Sequence, residues 1–196
     1  EYENPVRWFD NSPFLKESLY YPWRQADHVH MLEKIGYRKQ VAAWKHKVPA
    51  SMEKDLGAYA IAKQKNGPET LQLMGIDPAD VIARVEASPN MMKVYGEART
   101  QLETMFVRIN KAREIAGLPP LPKVENYFTF ARGVNDLEAL GMNPITVSDP
   151  AMIKRHLYEP TFQYKTRENV IGPMSLKFYG IYEHYMNTSS RYSLYA

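Results

Sequence analysis

Residues 88–117 read SPNMMKVYGEARTQLETMFVRINKAREIAG. Ser88 supplies a capping oxygen, and Pro89 lacks the N–H that a first helical turn would leave unpaired, so the pair predicts a helix start. Gly117 suits the left-handed residue that ends a helix, and Pro119-Pro120 forbid its continuation. Between these marks Met91, Tyr95, Ala98, Leu102, Met105, Ile109, Ala112 and Ala116 follow at alternating intervals of four and three. That spacing sets them on one seam of a helix over about 89–116, which Phe106 and Ile115 widen. A lone helix cannot bury such a stripe, so a companion helix must cover it.

The same start signal recurs outward. Asp77-Pro78 opens a helix through Val81, Ile82 and Val85, and Asp149-Pro150 opens one through Met152, Ile153 and Leu157 that Pro160 ends. Ser51, with Glu53 in the first turn, is the expected N-cap of a helix that carries Leu56, Tyr59, Ala60 and Ala62 and stops at Gly67. Pro68 then starts a short helix to about Met74, and Asp136–Leu140 forms another before Gly141. Upstream, Val29, Leu32, Ile35, Val41 and Trp44 predict a helix from about Gln25 to Lys45, interrupted by Gly36. Downstream, a helix is expected from about Pro173 to Met186. Leu176, Tyr179, Tyr182 and Met186 lie on one face with Phe178, Ile181 and Tyr185 beside it, so the helix should be contacted on two sides. Leu118–Pro122 must be extended, because residues before proline avoid the helical region. Asn126–Phe130 reads as an ordered aromatic loop.

No alternation of period two is long enough for a sheet. The expected fold is all-α, an irregular multi-helix bundle around the long helix, with extended aromatic arms. Residues 1–24 form an extended aromatic N-terminal arm with one short helix near 14–19. Residues 25–187 form the helical domain, and 188–196 form a frayed C-terminal tail.

Composition limits the chemistry. The 196 residues are 44% hydrophobic and 24% charged, an ordinary globular balance. The chain has no cysteine, which excludes disulfides, thiolate metal sites and a cysteine nucleophile. No apolar run is long enough to span a bilayer. No charged-then-apolar leader opens the chain, so no secretory signal is expected, and Glu1 in place of Met fits a processed piece of something longer. His28 and His30, two apart, point in different directions on a helix, and His46, His156 and His184 are isolated. There is no phosphate-binding glycine loop and no nucleophile-elbow motif. Asp77/Asp80 and Asp136/Glu138 are explained by helix starts. No catalytic, cofactor-binding or metal residue is assigned, and a non-enzymatic role is expected.

Two patterns point to partners instead. Tyrosine is frequent, with 14 residues, and Tyr and Trp are enriched at protein interfaces. Trp8, Trp23, Tyr127, Phe128, Tyr182 and Tyr185 are the expected protein contacts. Between Lys34 and Lys65, eight Lys/Arg oppose only Glu53 and Asp55, with Tyr37, Trp44, His46 and Tyr59 interleaved. Cations beside rings suit phosphates and bases, so nucleic-acid binding through Arg38, Lys39, Lys45 and Lys47 is the alternative, and a solvated helix face is the plain explanation.

Arg108–Ala116, then Gly117-Leu118-Pro119-Pro120-Leu121-Pro122, then Glu125-Asn126-Tyr127-Phe128, resembles a stretch of the large polyvalent proteins of bacteriophages and prophages. The family usually continues Pro-His where this chain has Thr129-Phe130. The Lys154-Arg155 helix, the Tyr179/Tyr182/Tyr185 helix, and Gly57–Gly67 followed by Met74-Gly75-Ile76 extend the resemblance over about 55–190. It implies a helical virion-associated or ejected internal phage protein, located in the virion or the bacterial host cytoplasm. Its partners would be other virion-type chains in an oligomer or longer polypeptide, and DNA is a further candidate. An accessory domain of a larger phage enzyme is a further alternative. The resemblance carries no catalytic residue.

Overall fold

Ser12-Pro13 is one more copy of the start signal. The Ser12 hydroxyl accepts the N–H of Leu15 at 3.3 Å, and Pro13 sits in the first turn. The computed structural model describes residues 12–123, Phe128 and 175–195. From that cap α1 (Pro13–Leu15) passes through a π-wound turn (Lys16–Tyr20) into α2 (Tyr21–Lys47), with helical dihedrals at each junction. The result is one rod about 50 Å long. The expected extended arm is therefore helical from residue 13 onward, and residues 1–11 lie outside the described residues. Pro22 does not break the rod. The π turn lies just before it, where a proline ring would clash with an α-wound ladder.

A 3-10 turn (Ala50–Met52) leads into α3 (Glu53–Ala62). Ser51 does not cap α3; Met52 holds the cap position and makes no side-chain bond. The Glu53 carboxylate instead accepts the backbone N–H of Tyr179 at 3.0 Å. Then follow α4 (Gly67–Leu73), α5 (Pro78–Glu86), α6 (Pro89–Ile115) and α7 (Phe178–Tyr195). No strand occurs among the described residues, and the chain is all-α. Asp77 caps α5 through Ala79 N–H at 2.9 Å, and Ser88 caps α6 through Met91 N–H at 3.5 Å. Gly117 ends α6 at φ +68, with Gly117 N–H bonded to Glu114 O and Leu118 N–H to Arg113 O. That pair of bonds is a Schellman cap, and Gly75 (φ +73) closes α4 the same way.

Three long helices shield one another. Glu33 meets Arg108 and Trp44 meets Glu97, so α2 runs antiparallel to α6. His30 meets Ser190 and Val48 meets Tyr179, so α2 is antiparallel to α7 as well. Tyr182 meets Gln101 and Tyr192 meets Arg113, so α6 and α7 are parallel. The α6 seam is buried from Met91 through Tyr95, Ala98, Leu102 and Met105 to Ile109, with Val94 added. In the last turns the pattern departs from expectation: Arg113 takes the inner position, Ala116 is exposed and Ile115 is 80% exposed. Arg113 is drawn in because its Nε donates to Pro119 O at 2.8 Å and its Nη1 to Tyr192 Oη at 2.9 Å. The proline run forms no helix and is tied back onto α6, with Leu121 N–H donating to Asn110 Oδ1 at 2.8 Å.

Helix α3 is enclosed from Leu56 to Ala62. Gly57 permits this, because a Cβ there would lie 2.4 Å from the Leu176 carbonyl oxygen. Helix α7 is contacted on two sides as expected, but it continues to Tyr195. Ser189, Ser190 and Tyr192 are buried, so the frayed tail is corrected to the last two turns of a core helix. Small serines fit a crowded helix interface, and their hydroxyls find partners there: Ser190 bonds Glu33. The expected helices over 136–140 and 149–157 lie outside the described residues.

Candidate interaction surface

The aromatic residues expected to meet a partner divide sharply. Tyr182 is fully buried, its ring edge-on to Trp44 at 4.7 Å and its hydroxyl donating to Gln101. Tyr185 is buried in the same core. Phe128 stacks on Phe178 at 4.8 Å, and its carbonyl accepts from Gln64 Nε2 at 2.8 Å. These three hold the chain's own helices together and are not a free surface, which corrects their reading as contacts. The apolar character that suggested contact is equally that of a core helix. Trp8 and Tyr127 lie outside the described residues. Trp23 is different: it stands 50% exposed on α2 in a ring cluster with Tyr20.

The basic stretch also disperses. Arg38 pairs with Glu183 at 3.0 Å and Lys47 with Glu97 at 3.3 Å, on opposite flanks of α2. Lys45 lies over the Tyr179 ring at 5.7 Å. Lys39 is exposed on the outer side. The four do not form a single phosphate-facing row, and two of the charges are already met within the fold.

A Ser/His/carboxylate grouping that the sequence reading missed does form between α2, α6 and α7. His30 Nδ1 is 3.1 Å from Ser190 Oγ, Ser190 donates to Glu33, and Arg108 pairs with the other Glu33 oxygen. With the serine proton on Glu33, the imidazole must be the donor to Oγ. Catalysis would need the reverse, with the hydroxyl proton moving onto histidine and the oxygen open to substrate. Ser190 has no exposed surface. The group is an interhelical clamp. Burial, with Arg191 and Lys34 nearby, pulls His30 below its usual value, and burial pushes the Tyr37 hydroxyl up to about 12. The signal was i, i+3 spacing of His30 and Glu33, but their serine partner lies 160 positions from His30. Among the described residues no three His, Asp or Glu side chains could share a metal ion, and no helix is long and apolar enough to cross a membrane.

What remains open is the outer side of the α1–α2 rod. Phe14 is 76% exposed, and Leu19, Tyr21, Met31, Leu32 and Ile35 are exposed as well; Trp23, nine residues before Leu32, is exposed on the opposite side of α2. Leu32 and Ile35 were expected to share a buried face with Val41 and Trp44. Nine residues separate Leu32 from Val41, which puts them on opposite sides of a helix. Trp44 and Val41 face α6 and α7; Leu32 and Ile35 face away. No family model matches the chain, and neither a curated protein nor a solved structure is significantly similar to it.

Proposed function

We propose that this chain is a non-enzymatic interaction region that presents the α1–α2 rod to another protein. The observation that carries the reading is the set of large apolar side chains left in water on that rod, with Tyr21, Leu32 and Ile35 on one side of α2. Contiguous exposed apolar surface on a protein marks interaction sites. The buried Ser190 and the dispersed cations support contact rather than chemistry. The resemblance to large polyvalent phage proteins supplies the proposed setting, a virion or ejected internal assembly.

Photo-crosslinking tests the proposal. A benzophenone side chain at Leu32 or Tyr21, which share one side of α2, is expected to give one discrete adduct with a second protein in infected or producing cells. The same group at exposed Glu69 on α4 is expected to give none. Equal labelling from all three positions, or from none, overturns the proposal.

A further inference from the structure

We propose that the outer face of α2 docks an acidic amphipathic helix of another protein. This rests on the interaction reading above and adds the chemistry of the occupant. From Tyr21 to His46 every position at alternating intervals of four and three is exposed, with Leu32 and Ile35 at the centre and His28 and Lys39 on either side. That is the spacing of a seam covered by a second helix, and no other described element covers it.

Charge selects the kind of helix. Between Ser18 and Met52 both carboxylates are engaged inside the fold: Glu33 by Arg108 and Ser190, Asp27 by the Tyr195 hydroxyl. Every exposed charged side chain on that span is a cation, namely Arg24, Arg38, Lys39, Lys45 and Lys47. The row is thus apolar at its centre and carries Lys39, with Arg24 close beside it; Arg38 and Lys47 on its flanks are paired with Glu183 and Glu97, and exposed Glu17 lies just before the row begins. A basic helix meets like charge at Arg24 and Lys39, and an acidic one meets complementary charge at both. Gly36, Ala42 and Ala43 are exposed beside the row, and a Cβ on Gly36 would meet nothing within 4 Å. Among the described residues no contact uses that glycine, so a second backbone has room to approach there. A fluid lipid surface does not need such room. Bases would need rings to stack on, and the centre of the row is aliphatic.

The test is fluorescence anisotropy on the full 196-residue chain. The probe is a labelled synthetic helical peptide with leucine at heptad seam positions and glutamate on the flanks. Comparators are the same peptide with lysine for glutamate, phosphatidylglycerol vesicles and a DNA duplex. The acidic peptide is expected to bind roughly tenfold or more tightly than the basic one, and less well as salt rises. Leu32→Asp/Ile35→Asp and Lys39→Glu should each abolish that preference, while Leu73→Asp on α4 leaves it intact. Circular dichroism on each variant confirms that the helices remain. Equal binding of both peptides overturns the acidic occupant but leaves the interaction reading standing. Binding of vesicles or DNA with the same variant sensitivity overturns the protein occupant. Absence of peptide binding while crosslinks persist at Leu32 overturns this inference alone, and loss of both removes the parent proposal too.

Discussion

At the scale of single residues, two glycines make opposite predictions. Gly57 lies against the Leu176 backbone, which cannot swing aside. Gly57→Ala is expected to cost about 1–3 kcal/mol through overpacking, read as a lower urea midpoint with an unchanged slope. Gly96 sits on an exposed turn of α6 with nothing within 4 Å of its notional Cβ. Gly96→Ala should gain about 0.5–1 kcal/mol from helix propensity. Both glycines lie in helices, so composition alone does not distinguish them. Arg113 is the third such residue: Arg113→Met keeps its bulk but leaves Pro119 O without that donor inside the fold. A loss of about 1.5–3 kcal/mol is expected, measured by the same denaturation curve.

At the scale of elements, α6 was legible because every local signal agreed. A capped proline start, a sustained seam and a glycine stop all belong to one stretch of chain. The seam failed only at its end, where Arg113 is fixed by Tyr192 from a distant helix, a partner no local pattern announces. Helix α2 was found but its orientation was merged. Leu32, Ile35, Val41 and Trp44 look alike on a hydropathy scale, yet only the last two are inside. The angular positions were available in the numbering; which face would be covered was decided by α6 and α7. The start of the rod was hidden for another reason: Pro13 and Pro22 suggest an extended arm, and one serves as a helix start while the other follows a π turn. The contact residues were missed because exposure is a tertiary property. Tyr182 and Trp23 differ in surroundings, not in kind.

At the scale of the whole molecule, acid should unfasten the three-helix contact in two stages. The folded chain binds fewer protons at His30 than the unfolded chain does, because the folded value lies below the ordinary 6.5. Stability is therefore full above pH 6.5, falls as pH drops below it, and the loss is complete below the lowered folded value. Glu97 is held below its usual 4.5 by the Trp44 N–H and by Lys47. Its contribution is present above pH 4.5 and is lost as pH falls through the lowered value. Urea midpoints measured across the acid range check both: His30→Asn should remove the upper stage alone, and Glu97→Gln should flatten the lower one.

The parallel placement of α6 and α7 has a consequence for biosynthesis. Helices α2 and α6 leave the ribosome well before Phe178–Tyr195 is translated, yet Trp44 rests its ring against Tyr182 and Val48 gives its carbonyl to Tyr179. A nascent chain released only through residue 123 thus carries two finished rods with a vacant trough between them. Such stalled chains should be cut readily by protease within α2 and recruit chaperones, and both sensitivities should fall once α7 has emerged.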